Sequence, residues 1–319
     1  MLAAKRKAEN ENGKQAQERV MFRNILLASD YSASANLAMP YAAGMARSFG
    51  ATLYAMHVQE PINYALPPVT WQGLELTREM EEKFLTEAIR RDFPEVRPHV
   101  LHADGVVWRA IEAAIRKHQI DLVVVGTRGR TGIGKALLGS VAEEILRHAP
   151  CPVLTVGPQA CHEAGRRGRM SSILFATDFG AASLAVAPIA VSLAEEYQAK
   201  LTLLHVMEKR SGGQMEMPCD ASEKCEERLR ALVAEEAKMW CEPHFVVDCG
   251  AGDRAGAAWE RILWQAQARE ADLIVMGVHG PEGAFSGADT HLEIATVHGV
   301  VAHARMPVLT VRGAAANNS

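Results

Sequence analysis

Residues 24–30 read NILLASD and residues 172–178 read SILFATD, an offset of 148. The same offset carries Pro40 onto Pro188, Ala46 onto Ala194, Ala51 onto Ala199 and His57-Val58 onto His205-Val206. Farther on, DLVVVGTRG at 121–129 matches DLIVMGVHG at 272–280, and Trp108 falls on Trp259, both at an offset of 151. HAPCPVLTV at 148–156 then matches HARMPVLTV at 303–311, offset 155. An offset that drifts by a few residues is what a tandem duplication leaves when loops change length and elements do not. The repeated unit is about 140 residues, far beyond the roughly 20–45 of a solenoid repeat.

Each copy reads as strands alternating with helices. In the first, the strands are Asn24–Ser29, Thr52–Val58, Val96–His102, Asp121–Val125 and Pro152–Val156. Between them, Ala33–Phe49, Val106–His118 and Ser140–His148 have helical spacing, with Pro40 a point where the first helix should kink. Glu60–Gly73 carries three prolines and reads as a loop; Leu76, Met80, Phe84, Ala88 and Ile89 then mark one face of a long amphipathic helix. Alternation of this kind predicts an α/β fold, two tandem open parallel five-stranded sheets with helices on both faces, Rossmann-like in form. GPQACHEAGRRGRM at 157–170 is rich in Gly and Arg and reads as the linker. The predicted organisation is an N-terminal extension 1–20, a first domain 21–158, a linker 159–170, a second domain 171–313 and a tail 314–319.

Composition excludes several classes. The 319 residues are 48% hydrophobic and 23% charged, as in ordinary globular proteins rather than disordered or fibrous ones. Mean hydropathy is −0.05, and no apolar run approaches the roughly 18 residues a membrane span requires. A formal net charge of −4 gives no whole-molecule field for nucleic acid. Lys5, Arg6 and Lys7 are followed by Glu, Asn and Gln rather than an apolar core, so the first residues do not read as an export signal. The six cysteines are unevenly spaced and match no common zinc pattern, and reduced thiols in the cytoplasm are expected.

In an open parallel sheet, ligands bind beyond the carboxyl ends of the strands. The first strand ends in Asp30, and the fourth runs into GTRGRTGIGKALLGS, with glycines at 126, 129, 132, 134 and 139. Such a loop lets backbone N–H groups approach an anion, and Gly139-Ser140 opens a helix whose N-terminus adds more. A Walker A reading fits Gly129-x4-Gly134-Lys135, but Ala136 stands where a hydroxyl should hold magnesium. A dinucleotide fingerprint fails at Leu137. The remaining spacing is Gly126-x2-Gly129-x9-Gly139-Ser140.

With that spacing, the acid after the first strand and the flanking GSVAEEILRHAPCPVLTV, the first copy resembles a universal stress protein domain, and the second resembles a divergent one. The resemblance implies an adenine nucleotide alpha hydrolase-like fold and ATP as ligand, with or without Mg2+. It implies that Ala28 and Asp30 lie against the adenosine end and that the main chain at Val58 meets the adenine edge. Gly126, Arg128 and Gly129 would then line the ribose and first phosphates, and Gly139, Ser140 and Val141 the outer phosphates. It also implies pairing of the two copies through their last strands as a pseudo-dimer, with a homodimer of chains as a further level.

The second copy keeps Asp178, Gly277 and Gly280, but Ile294 and Ala295 fall on Gly139 and Ser140, so weak or absent binding is expected there. Blander roles compete. Asp30 could cap the following helix, as Asp178 could in the second copy. His57 and His205 read as packed side chains, and Trp108 and Trp259 as matching core residues. His279, His291, His298 and His303 carry no recognisable metal-binding motif. No catalytic constellation is evident. A regulatory nucleotide in a stress response is the favoured function, with a slow ATP-hydrolysing or phosphoryl-transferring enzyme and a nucleotide-free interaction scaffold as alternatives.

Overall fold

The computed structural model describes residues 21–59, 78–128, 138–207, 219–238, 242–250, 256–278 and 294–312. The first copy contains β1 (Asn24–Ala28), α1 (Ala33–Phe49), β2 (Thr52–Gln59), α2 (Arg78–Asp92), β3 (His99–Asp104), α3 (Val107–His118), β4 (Leu122–Gly126), α4 (Ser140–His148) and β5 (Val153–Val156). A short α5 (His162–Arg167) leads into β6 (Ser172–Ala176), α6 (Ala181–Tyr197), β7 (Lys200–Val206), α7 (Cys219–Ala231), α8 (Glu235–Lys238) and β8 (His244–Asp248). The second copy closes with α9 (Ala258–Ala268), β9 (Leu273–Val278), α10 (Ile294–His303) and β10 (Val308–Arg312).

The ten strands among the described residues form one sheet in the order β3-β2-β1-β4-β5-β10-β9-β6-β7-β8. Within each copy every pairing is parallel, as in β1 with β2 and β4, or β6 with β7 and β9. The strand pleat sends alternate residues to opposite faces. Ile25 and Leu27 enter one core with α1 and α2, while Leu26 enters the other with α3 and α4. In the second copy Ile173 and Phe175 join the first core and Leu174 and Ala176 the second, so each core runs through both copies.

The two five-stranded sheets predicted from the sequence are therefore joined edge to edge. The join is antiparallel, β5 against β10, with register pairs Val153–Thr310, Leu154–Leu309 and Thr155–Val308. The Thr155 hydroxyl donates to the Val308 carbonyl at 3.1 Å, and the Thr310 hydroxyl donates to the Val153 carbonyl at 3.2 Å. Pairing removes one exposed edge from each sheet, which is where unpaired N–H and C=O groups would otherwise lie.

Helix α1 is punctuated at both ends. Ser32 caps it, accepting from the Ala35 N–H at 3.2 Å, and Gly50 ends it in the left-handed region at φ 62°. Pro40 is accommodated inside one continuous helix, and Pro188 occupies the matching place in α6. Gly44 permits close approach: a Cβ there would stand 2.7 Å from the Gly168 Cα.

Two features differ from the sequence reading. The 157–170 segment contains α5 and is clamped to α1, with the Tyr41 hydroxyl donating to the Cys161 carbonyl at 2.6 Å and Arg47 to the Arg167 carbonyl at 3.1 Å. Arg166 also pairs with Asp92 of α2 at 2.8 Å. Its glycines thus serve packing rather than looseness. In α2 the buried residues are Leu85 and Ile89, whereas Met80 and Phe84 are exposed. Leu76 and the 60–73 loop lie outside the described residues.

Candidate functional site

The carboxyl ends of β1 and β4 lie side by side, and the helices that follow them cover opposite faces: α1 lies on the first core and α4 on the second. That is the switch point of an open α/β sheet, where a crevice forms because the chain departs in two directions. Into this crevice the sequence delivers Ala28, Ser29 and Asp30 from β1, and Gly126, Thr127 and Arg128 from β4.

Asp30 does not cap α1. Its Oδ1 accepts from the Ser32 N–H at 3.0 Å and so positions the residue that does. Ser32 in turn donates its hydroxyl to the Arg128 carbonyl at 3.1 Å, tying the end of β1 to the end of β4 across the crevice. Between them Tyr31 holds φ 61°, a left-handed conformation unusual for a bulky residue. Phe179 repeats it at φ 63° in the second copy, so the turn was present before duplication or imposed by the same packing. Tyr31 lies on the His57 ring at 4.7 Å, and Phe179 lies on His205 at 4.5 Å. Both histidines use Nδ1–H to donate 2.8 Å to a carbonyl, Ser29 for His57 and Thr177 for His205. They are packed side chains, as the sequence suggests.

Gly126 has a structural reason for its identity. A Cβ there would lie 2.7 Å from the Ser34 carbonyl carbon and 2.8 Å from the Ala35 nitrogen. Gly277 meets Ser183 at 2.7 Å in the same way. This glycine therefore lets the first turn of the leading helix rest on the strand end in both copies. Gly129 and the loop through Leu137 lie outside the described residues.

At the far side, the Gly139 N–H is already used, donating to the Thr127 carbonyl at 2.8 Å. Among the described residues, the first-turn N–H groups of α4, those of Ser140, Val141 and Ala142, have no intrahelical carbonyl to donate to, since the first intrahelical bond runs from Glu143 to Gly139. The dipole of α4 adds positive potential there. Glu143 in the same turn opposes an anion, but Arg147 neutralises it at 2.6 Å. Ala28, Val58 and Val141 are half-buried and all pack on the second core. Of the nine residues expected to line the site, eight are described, and each stands at or just beyond the carboxyl end of β1, β2 or β4 or at the start of α4.

The second copy is built differently at the same end. Asp178 accepts from the Gly180 N–H at 2.8 Å and from the Ser183 hydroxyl at 2.6 Å, and it is only 9% exposed. Arg228 lies over the Phe179 ring at 4.0 Å. Burial holds the His205 imidazole below its ordinary pKa, against the opposing effect of the Thr177 bond. Gly280 lies outside the described residues, as do His279 and His291. Among the described residues there is no cluster of three metal-ligating side chains, and no helix long and apolar enough to cross a membrane. His303 donates to the Gly299 carbonyl at 2.9 Å and stacks on Trp259, while Trp108 packs beside His148.

The sequence model of the Universal stress protein family matches residues 21–157 and again 170–312. The chain belongs to the universal stress protein family. A universal stress protein of Mycolicibacterium smegmatis is 28% identical over 302 residues, covering 90% of this chain and 96% of its own length. One from Thermus aquaticus is 37% identical over 138 residues, 43% of this chain and 99% of its own. The crystal structure of an Archaeoglobus fulgidus universal stress protein superposes with a TM-score of 0.60 at 19% identity, over 94% of this chain and 99% of that one. The shared architecture is thus a tandem universal stress protein fold.

Sequence reasoning misses Ser32 and Thr127. Ser32 is detectable as a capping serine three residues ahead of Ala35, just before a helical run. Nothing in the local sequence signals that its hydroxyl reaches residue 128.

Proposed function

We propose that the first copy binds ATP, alone or with Mg2+, as a regulatory or conformational ligand in a stress response. The observation that carries this reading is the bond from Ser32 to the Arg128 carbonyl, which holds the β1 acid and the β4 loop together at the switch point. Adenosine would lie against Ala28, Asp30 and Val58. Gly126, Arg128 and Gly129 would follow the ribose and first phosphates, with the outer phosphates at Gly139, Ser140 and Val141. Because the Gly139 N–H is engaged, the N–H groups of Ser140 and Val141 carry the phosphate contact and Gly139 supplies room. Arg128 adds a cation to the same crevice.

In this reading residues 21–158 and 171–313 are the two domains, 159–170 connects them, and 1–20 and 314–319 are terminal extensions. The antiparallel seam supports reading them as a pseudo-dimer inside one chain, working in the cytoplasm, with homodimerisation of chains left in this reading to other surfaces. The test is nucleotide released by heat from the purified protein and identified by chromatography, followed by calorimetric titration with ATP. A protein that copurifies with no adenine nucleotide and gives no heat with ATP refutes the proposal. Turnover measured with and without magnesium distinguishes a held ligand from a substrate.

A further inference from the structure

At the carboxyl ends of β1, β2 and β3 and on α3, the first copy presents half-buried apolar residues that share one core: Ala28, Val58, Ala103 and Ala110. The second copy fills the equivalent place with charge. By strand register Val58 pairs with Ala103, whereas Val206 pairs with Asp248. By the offset of 151, Arg261 and Gln265 stand at the positions of Ala110 and Ala114.

These three polar residues form one buried cluster. The Arg261 guanidinium donates to the Met207 carbonyl at 2.8 Å, and to both the carbonyl and the carboxylate of Asp248 at 2.5 Å. Gln265 donates to the other carboxylate oxygen at 2.9 Å, and the Gly250 N–H donates to Oδ1 at 2.9 Å. The Arg261 and Asp248 side chains are 7% and 5% exposed. The guanidinium therefore bridges the chain ends that leave β7 and β8. Ala176, which corresponds to the half-buried Ala28, is 1% exposed beneath this end of the sheet.

We propose that the second copy is closed by its own side chains: Arg261, locked to Asp248, occupies the place that the nucleotide base takes in the first copy. The proposal rests on the reading of the first-copy site only for where that base lies. An adenine ring entering here would have to expel the guanidinium and strand the Asp248 charge in a dry site, which the geometry opposes. Burial alone would raise the Asp248 carboxyl, yet the bonds from Arg261, Gln265 and Gly250 outweigh it and hold it below the usual range. The cluster thus keeps both charges in place. It acts independently of the missing Gly-Ser pair, since it blocks the base rather than the phosphates.

The experiment is equilibrium dialysis with adenosine, which has no phosphate and so ignores the phosphate loop. The intact chain is compared with a triple variant, Asp248→Ala, Arg261→Ala and Gln265→Ala, which restores the alanines of the first copy and removes the two buried charges together. The triple variant is expected to bind one more adenosine per chain than the intact protein. A triple variant with unchanged circular dichroism and an unchanged count overturns the proposal. If the intact chain binds none, the first-copy reading fails, while the difference between the two proteins still decides this one. Should the triple variant not fold, the converse graft Ala103→Asp, Ala110→Arg and Ala114→Gln serves. A folded graft that loses adenosine supports the closure, and one that binds as before overturns it.

Discussion

Leu154 and Leu309 are register partners at the centre of the ladder that joins the two copies, and both are fully buried. Equivalent residues facing each other is what a two-fold relation between copies requires, and the hydroxyls of Thr155 and Thr310 repeat it on either side. Each hydroxyl bond is worth about 1 kcal/mol by the usual net value. Thr155→Val and Thr310→Val are therefore expected to cost similar amounts of stability, read as matching shifts in the guanidinium unfolding midpoint. A large cost for one and none for the other would show that the seam is not symmetric in energy.

Gly126→Ala and Gly277→Ala test why the strand-end glycine is there. In both copies a methyl group would sit about as close to the helix backbone as 2.7 Å. Overpacking of this kind typically costs about 1–3 kcal/mol. Both variants should lose stability in thermal unfolding by comparable amounts. If Gly126→Ala left stability unchanged, helix packing would not explain the residue.

Burial depresses the His205 imidazole from its ordinary 6.5, so the folded state binds fewer protons there than the unfolded chain does. Stability therefore falls as pH drops below that ordinary value, and the loss is complete below the lowered folded value. His205→Gln keeps a donor for the Thr177 carbonyl without the titration. Its unfolding free energy should depend less on pH across this window than that of the intact chain. An identical pH slope in the two proteins would place the acid sensitivity elsewhere.

Thiol reactivity offers a further check. Burial, with help from the Asp121 charge, pushes the Cys151 thiol up to about 12. At pH 8 only about one thiol in ten thousand would then be thiolate. Iodoacetamide should label the exposed Cys161 in the native protein and Cys151 only after unfolding, as peptide mass spectrometry can show. Rapid native labelling of Cys151 would contradict the packing of β5.

How much of this is legible in the sequence varies with how local the cause is. Ala33–Phe49 and Ser140–His148 can be read to the residue, because Ser32, Gly50 and Gly139 punctuate them within a turn of the boundary. The α2 face cannot, since Met80 and Phe84 share helical spacing with Leu85 and Ile89 and only tertiary packing selects the buried stripe. In the 157–170 segment glycine and arginine suggest a linker, but the contact of Gly168 with α1 is not visible there because its partners are distant in sequence. At the site, Asp30 and the glycine spacing are visible. The Ser32–Arg128 bond is not, because its partners are 96 residues apart. Arg261 looks like an ordinary polar position on an amphipathic helix, and only alignment with Ala110 marks it as a change of chemistry.

Gly139→Val repeats in the first copy the kind of residue that Ile294 brings to the second. The backbone at Gly139 has φ −66°, a conformation open to any residue. In the proposed site the effect should appear in the ligand, because a branched side chain beside the Ser140 and Val141 N–H groups would compete with the outer phosphates. Calorimetric titration should give one ATP per intact chain and no measurable binding to the variant, with thermal stability in the absence of nucleotide nearly unchanged. Since phosphate contacts are lost and the base contacts are not, adenosine should still bind the variant. ATP affinity that survives Gly139→Val would move the phosphates away from α4 and with them the whole site assignment.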